Sequence, residues 1–214
     1  MKTETKPVII LGAGGHAKVL IEILNKLDIE ILGLTDNAEN QIKEFQGLKI
    51  LGDDYQVYKY PPEEVFLVNG IGSLPGNSIR RDIAIDMRDK GYRFLTIVHP
   101  NSLISEKAIL HEGCQIMAGS IIQYGTSIGK DTIINTGSVI DHECYVGQSC
   151  HIATGSVLSG NVIVGDNTHI GTGTCIINNI SIGENVVVAA GSVVYKDIIS
   201  GSKFLQKKEY HEEF

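Results

Sequence analysis

From Ile104 onward the chain keeps a period of six, and that period excludes most folds. In a six-residue frame set on Ile104, the first positions are Ile104, Leu110, Ile116, Ile122, Ile128, Ile134, Ile140, Val146, Ile152, Leu158, Val164, Ile170, Ile176, Ile182, Val188 and Val194. All are Ile, Leu or Val, with no insertion. The fifth position is mostly small, as at Ser120, Thr132, Ser138, Cys150 and Ser156. Helices repeat at 3.6 and strands at 2, so a period of six fits neither. It is the signature of a parallel β-helix in which each hexapeptide is one flat side of a triangular coil. The aliphatic residue points to the axis and the small residue fits the narrow corner. Three hexapeptides close one coil of 18 residues, and five coils fit between Ile104 and Val193. A single coil cannot bury its own aliphatic residues, so the coils must stack. Glycine at the second position (Gly129, Gly147, Gly165, Gly171, Gly183) is expected to help the backbone turn. Val162, Ile180 and Val186 at fifth positions predict local widening.

Residues 1–98 follow a different grammar. Val8–Leu11 reads as a buried strand, Ala17–Leu27 as a helix, Ile29–Thr35 as a strand and Leu48–Leu51 as a short strand after a loop at Gly47. Val65–Asn69, a helix over Ile79–Lys90 and a strand over Arg93–Val98 complete the half. Strand–helix–strand alternation predicts an α/β domain with a parallel sheet of Rossmann-like type, about one mononucleotide-binding half. The expected organisation is therefore 1–98 α/β, 99–199 β-helix, and a charged tail at 200–214 that forms a short helix or is mobile.

Charge and composition narrow the function. With 18 basic and 25 acidic side chains, the formal charge is −7, which argues against nucleic acid and anionic membrane surfaces. A hydrophobic fraction of 43% excludes a disordered chain. The start lacks the apolar run of a signal peptide and no 18-residue apolar stretch occurs, so a cytoplasmic protein without membrane insertion is expected. The four cysteines form no CxxC pair, which speaks against zinc and redox motifs. Cys114, Cys144 and Cys150 fall on inward small positions and Cys175 on an outward one.

Two segments can carry chemistry. Gly12-Ala13-Gly14-Gly15-His16 lies between a strand and a helix, where glycines let backbone N–H groups approach a phosphate. Asp36 follows the second strand, and Asn69-Gly70-Ile71-Gly72-Ser73 would lie at the same sheet edge. Arg80 and Arg81 suit a phosphate or a solvated helix face equally. The motif also fits a dehydrogenase, but no second half follows. The other segment is Asp141-His142-Glu143. A histidine can act as general base and a neighbouring carboxylate can favour its imidazolium; an exposed surface ion pair reads equally well. His111, His142, His151 and His169 lack the close pair of a zinc site, so no metal is expected. His151 and His169 stand 18 residues apart, one above the other.

The sequence resembles the sugar acetyltransferases of the sialic-acid and bacillosamine pathways. The resemblance is carried by VIILGAGGHAKV (8–19), TDN (35–37), GIGS (70–73) and HPNSLIS (99–105). It continues through INTGSVIDHECYVG (134–147), HIATGSVLSGNVIVG (151–165) and AAGSVVYKD (189–197). It implies a left-handed sense for the β-helix and a homotrimer with acetyl-CoA in a groove between coils. It also implies a UDP- or GDP-linked sugar on the N-terminal domain. By the same resemblance His142 is the general base and Glu143 its orienting acid. His151, Asn135, Gly160, Thr172 and Ala190 line the acetyl-CoA site, and Gly14, Gly15, His16, Asp36, Asn37 and Gly72 the nucleotide-sugar site. Many relatives end the coil with Gly-Val-Pro-Ala and a basic residue, whereas this chain ends SGSKFLQKKEYHEEF.

The expected reaction is acetyl transfer from acetyl-CoA to the amine of a nucleotide-linked 4-amino-4,6-dideoxy sugar for surface glycans. A backbone N–H, such as that of Gly160, would hold the oxyanion. An O-acetyltransferase acting on sialic acid or a related nonulosonic acid, and a non-catalytic nucleotide-sugar-binding trimeric scaffold, are the alternatives.

Overall fold

The computed structural model describes residues 6–36 and 43–205. The chain divides into two compact units. One contains the residues up to Pro100 together with Leu110–Gln115, the other Asn101–Ile109 and the chain from Ile116.

The first unit is built on a sheet of five strands. These are β1 (Val8–Leu11), β2 (Ile31–Thr35), β3 (Glu44–Phe45), β4 (Leu48–Gly52) and β5 (Phe66–Asn69), with helices α1 (Gly15–Lys26) and α2 (Ile79–Asp89). β1 is apolar throughout and fully buried, as expected of a central parallel strand covered on both faces. Ala17, Leu20, Ile21, Ile23 and Leu24 form the buried stripe of α1. The strand order is β3-β4-β2-β1-β5. β1 pairs in parallel with β2 and β5, and β2 with β4.

The sheet departs from the all-parallel expectation at its edge, where β3 runs antiparallel to β4. Gln46 and Gly47 both have positive φ, 53° and 76°, the geometry of a two-residue hairpin turn. The expected strand Arg93–Val98 is also broken. Phe94 bridges Leu67 in parallel, and Ile97–Val98 forms a separate pair. Between them the Thr96 hydroxyl donates to His111 O (3.1 Å) and accepts from Gly113 N (3.1 Å), while Ile97 N donates to Cys114 O (2.8 Å). The chain is thus diverted toward Leu110–Gln115. Glu112 joins the same segment to α2, accepting from Arg88 Nε (3.2 Å), Arg93 Nε (3.3 Å) and Phe94 N (3.2 Å).

In the second unit, two-residue strands repeat every six residues and pair in parallel with the strand 18 residues on. One face runs Ile121, Val139, Val157, Cys175, Val193. Another runs Tyr145, Ile163, Ser181. The third runs Ile133, His151, His169, Val187, Lys203. The first-position residues Ile122, Ile140, Leu158, Ile176 and Val194 are all buried. This is the parallel β-helix that the period of six predicts.

Two features of the coil differ from the sequence reading. The turns lie at the fourth position, not the second: Gly119, Gly125, Asp131, Gly137, Glu143, Ser149, Gly155, Asn161 and their successors all have positive φ. The second-position glycines instead allow close approach of the next coil. A Cβ on Gly165 would stand 2.7 Å from Glu184 N, and one on Gly171 2.5 Å from Ala190 N. The small fifth positions also do more than save space. Ser138 Oγ donates to Ala153 O (2.9 Å), Ser156 Oγ to Gly171 O (2.9 Å), Thr132 Oγ1 to Gly147 O (2.7 Å) and Cys150 Sγ to Gly165 O (3.1 Å). Each satisfies a buried corner carbonyl. Burial pushes the Cys150 thiol up to about 12 and raises that of Cys144, so neither is a nucleophile at neutral pH.

The tail expectation fails at its start. Lys203–Phe204 pairs with Val187–Val188 as one more rung, because Val187 N and Ala189 N donate to Ser202 O and Phe204 O at 3.0 Å. Residues 206–214 lie outside the described residues.

Gly165→Ala should lower stability by about 3 kcal/mol in urea unfolding, since two backbones must part. Gly137→Ala, at φ +68° with nothing within 4 Å of its Cβ, should cost only the left-handed penalty of about 1–2 kcal/mol. Burial works against the charge of Glu112, but the Phe94 N–H, Arg88 and Arg93 outweigh it and hold its pKa low. Its contribution is therefore present above the unfolded carboxylate pKa and is lost as pH falls through the lower folded value. Glu112→Gln should lower the Tm at pH 7, and the gap from wild type should close in acid.

Candidate functional site

His142 and Glu143 project from one edge of the coil, where residues 142–143 stand above 124–125 and below 160–161. His142 Nδ1 lies 3.6 Å from Glu143 Oε2, and both side chains are exposed. This contact is longer than a hydrogen bond, as is common before substrate closes a site. The backbone of His142 is fixed on both sides. Its N–H donates to Asp141 Oδ1 (2.7 Å) and its carbonyl accepts from Asn161 N (2.9 Å). The ring rests on Gly160, where a Cβ would stand 2.6 Å from both Cε1 and Nε2. Glycine is required there by the imidazole, not by a turn.

Glu143 carries φ +57°. At the fourth positions with positive φ every other residue is Gly, Asn, Asp or Ser, types that tolerate that conformation. A long carboxylate in a left-handed turn is a strained choice that the coil does not need. That exception was legible in the six-residue frame and marks Glu143 independently of any motif.

The other residues predicted for the acetyl-CoA site fall elsewhere on the coil. Asn135 Oδ1 accepts from Thr136 N (2.8 Å), so its amide NH₂ faces His151 Nε2 at 3.1 Å. His151 Nε2 is therefore an acceptor and the ring proton sits on Nδ1. His169 stacks edge-on against His151, with centroids 4.8 Å apart. Burial lowers its pKa, so the ring is neutral at neutral pH.

Thr172 and Ala190 lie on the next corner, in the column Ala118, Thr136, Thr154, Thr172, Ala190. Each is followed by a left-handed glycine: Gly119, Gly137, Gly155, Gly173, Gly191. A Cβ on any of the last four would meet nothing within 4 Å. At about 4.8 Å per rung these four glycines span roughly 14 Å of that edge. Its rungs are tied by Gly155 N to Thr136 O (3.0 Å), Gly173 N to Thr154 O (3.0 Å) and Gly191 N to Thr172 O (2.8 Å). The structure thus joins His142, Glu143 and Gly160 on one corner and places Thr172 and Ala190 on another, with Asn135 and His151 beside the latter.

In the first unit the carboxyl ends of β1, β2 and β5 converge. Gly12 N donates to Thr35 O (2.9 Å) and Gly70 N to Leu11 O (2.8 Å). Gly12 and Gly70 are needed for packing, since a Cβ would stand 2.9 Å from Ile71 Cγ1 and 2.7 Å from Ile10 Cγ2 respectively. Gly14 and Gly15, at the start of α1, are different: their Cβ positions are open for 4 Å. The fold does not require glycine at these two, so they leave the helix N-terminus clear for a ligand. Gly72 is equally open, its nearest neighbour being His16 Cβ at 3.9 Å. Asp36 follows β2, and its N–H donates to Gly52 O (2.9 Å). Asn37 lies outside the described residues. Beside Asp36, burial raises the pKa of Asp54 against the opposing Thr35 hydroxyl bond, and the charges of Asp53, Asp36 and Asp86 add to the rise.

Arg80 does not stand on a solvated helix face. It is buried, and its Nη1 donates to Asn69 O (2.8 Å) and Ile71 O (2.7 Å). Among the described residues no group of three or more His, Cys, Asp or Glu is placed to hold a metal ion, and no helix is long and apolar enough to cross a membrane.

Comparison with known proteins matches residues 7–87 to the PglD N-terminal domain. Residues 107–142 match the bacterial transferase hexapeptide and 161–196 the hexapeptide repeat of succinyl-transferase. The chain is 34% identical over 125 residues to UDP-N-acetylbacillosamine N-acetyltransferase of Bacillus subtilis. That match covers 53% of this chain and 52% of the relative, about half the length of each. Among solved structures, a mutant of perosamine N-acetyltransferase from Caulobacter crescentus, in complex with CoA and GDP-perosamine, is 32% identical. Coverage is 92% of both chains, with a TM-score of 0.85. The acetyltransferase domain of PglB from Neisseria gonorrhoeae, in complex with acetyl coenzyme A, is 28% identical over 93% of this chain and 95% of that one, with a TM-score of 0.85.

Gly160→Ala is expected to displace the His142 ring while leaving the coil folded. The measurement is the histidine side-chain NMR spectrum beside a thermal melt; an unmoved His142 resonance would refute the packing.

Proposed function

We propose, because the chain belongs to the family of hexapeptide-repeat N-acetyltransferases that includes perosamine N-acetyltransferase, that it transfers acetyl from acetyl-CoA to the amine of a nucleotide-linked 4-amino-4,6-dideoxy sugar. The observation that carries the mechanism is the seat of His142, an imidazole laid on a glycine with a carboxylate 3.6 Å from Nδ1. With its proton held on Nδ1 toward Glu143, the ring offers the lone pair of Nε2. The amine attacks the thioester carbonyl and Nε2 accepts its proton. The C–N bond forms, the C–S bond breaks, and the leaving thiolate takes the proton from the ring. Glu143 stabilises the imidazolium between these steps, and the Gly160 N–H is assigned to the oxyanion. Binding both substrates supplies proximity, and no acetyl-enzyme is needed.

The first unit is assigned the nucleotide sugar. Its strand order β3-β4-β2-β1-β5 reverses between β1 and β5, the kind of crevice where a phosphate meets a helix N-terminus. Gly14, Gly15, His16 and Gly72 are assigned to that mouth, and Asp36 to the ribose or base of UDP or GDP. The coil is assigned acetyl-CoA, with Thr172 and Ala190 on the open glycine edge and Asn135 and His151 beside it. Because His142 stands on a different corner, a homotrimer completes each site by setting the glycine edge of one copy against the His142 corner of the next. The cytoplasm is the assigned compartment.

The test is incubation with acetyl-CoA and UDP- or GDP-linked 4-amino sugars. An acid-stable amide with release of CoA is expected. A base-labile ester formed from sialic acid, or no CoA release with any acceptor, would overturn the assignment. His142→Ala should lower kcat by about 10²–10⁴-fold at saturating substrates. Unchanged turnover would remove His142 from the mechanism.

A further inference from the structure

Three side chains around the end of β5 form one polar network in the first unit. Asn69 is its hub. Its carbonyl accepts from Arg80 Nη1 (2.8 Å) and from Gln115 Nε2 (2.9 Å), and its amide donates to Arg80 O (2.8 Å). Asn69 and Gln115 are almost fully buried. A carbonyl can only accept, so the NH₂ of Gln115 must face Asn69 and its oxygen must face the other way. That oxygen lies 2.7 Å from His16 Nε2. An oxygen without hydrogen demands a donor, so Nε2 bears the ring proton and Nδ1 bears the lone pair. The nearby Arg80 charge disfavours a second proton on the ring. Burial together with Arg80 lowers the His16 pKa to about 4, against the opposing Gln115 bond.

We propose that Gln115 is a positioning residue that locks His16 as a neutral Nε2–H tautomer, so that Nδ1 accepts a hydrogen bond from a hydroxyl or N–H of the amino-sugar moiety of the nucleotide sugar instead of pairing with its diphosphate. A histidine at a glycine-rich helix N-terminus invites the opposite assignment, a cation for phosphate. The network denies it that charge and leaves the diphosphate to the backbone N–H groups of Gly14 and Gly15. The site then selects for a donor on the ligand, because an acceptor placed against Nδ1 would leave two lone pairs facing each other. The ligand half of this inference rests on the nucleotide-sugar reading above; the tautomer half does not.

The experiment has two readouts. Long-range ¹H–¹⁵N NMR of the wild-type protein at pH 7 should show His16 protonated at Nε2 alone. Gln115→Met should return the ring to a mixture of tautomers. Gln115→Glu, which keeps an acceptor toward Nε2 but replaces the donor to Asn69 with a carboxylate that favours the charged ring, should retain Nε2–H, so one readable variant remains if the apolar one fails to fold. A wild-type His16 that is cationic or protonated at Nδ1 overturns the proposal, as does an unchanged ring in Gln115→Met. Calorimetric titration should then show about 3–10-fold weaker binding of UDP- or GDP-linked 4-amino sugars by Gln115→Met. UDP and GDP alone should bind as they do to the wild type. Equal weakening of all four ligands would assign His16 to the phosphates and refute the inference. Failure of the wild type to bind any nucleotide sugar would instead refute the functional reading, with the NMR result standing separately.

Discussion

The bond on which this molecule depends is the backbone hydrogen bond from one coil to the next, repeated every 18 residues. Val139 N to Ser156 O, Val157 N to Thr174 O and Cys175 N to Ser192 O, at 2.8–2.9 Å, are three successive rungs of one face. Two-residue strands cannot stand alone, so each rung is stable only because its neighbours are present. The aliphatic first positions make the stack dry, and the hydroxyls and thiols of the fifth positions satisfy the corner carbonyls that the dry interior would otherwise strand. The fold tolerates almost no change in pitch, because second-position glycines such as Gly165 already bring adjacent backbones to the contact limit.

That rigidity is what makes a loosely held pair such as His142 and Glu143 usable. Both side chains are exposed, and neither is buried deeply enough for its surroundings to orient it. Their placement comes instead from the rungs above and below, through Asn161 N on the His142 carbonyl and Tyr124 O on Glu143 N. Gly160 one coil higher provides the flat surface for the ring. The strain of a glutamate at positive φ is carried by the same frame. A loop could not hold these groups so reproducibly, since loops lack such cross-ties.

The first unit solves a similar problem with a polar hub instead of a ladder. Asn69 ends β5, and Arg80 and Gln115 converge on its carbonyl. Gln115 belongs to the stretch Leu110–Gln115, which the six-residue pattern reads as part of the coil but which packs with the α/β unit. A single hydrogen bond from this stretch sets the tautomer of His16, more than ninety residues away in sequence.

Local pattern foretold a large part of the molecule. The period of six was enough for the β-helix, its core and the inward cysteines, because stacking reads only residue size and polarity at fixed spacing. The strand–turn–helix at Gly12–His16 was legible for the same reason. The antiparallel edge β3 escaped notice because its strand is two residues long and its turn residues, Gln46 and Gly47, are a weak signal. The roles of the second and fourth positions were interchanged, since both favour glycine and only φ values separate a turn from a close approach. Arg80 could not be read as buried from a helix face that alternates charge and aliphatic residues. The residues alone therefore determined the architecture and nominated His142, Glu143 and His16. Only the tertiary structure decided that Gly160 carries the imidazole, that the acetyl-CoA candidates sit on a different corner from His142, and that Gln115 dictates the tautomer of His16. These facts depend on which atoms meet across 18 or 99 residues of chain, and a hydrogen bond between them leaves no periodic trace in the sequence.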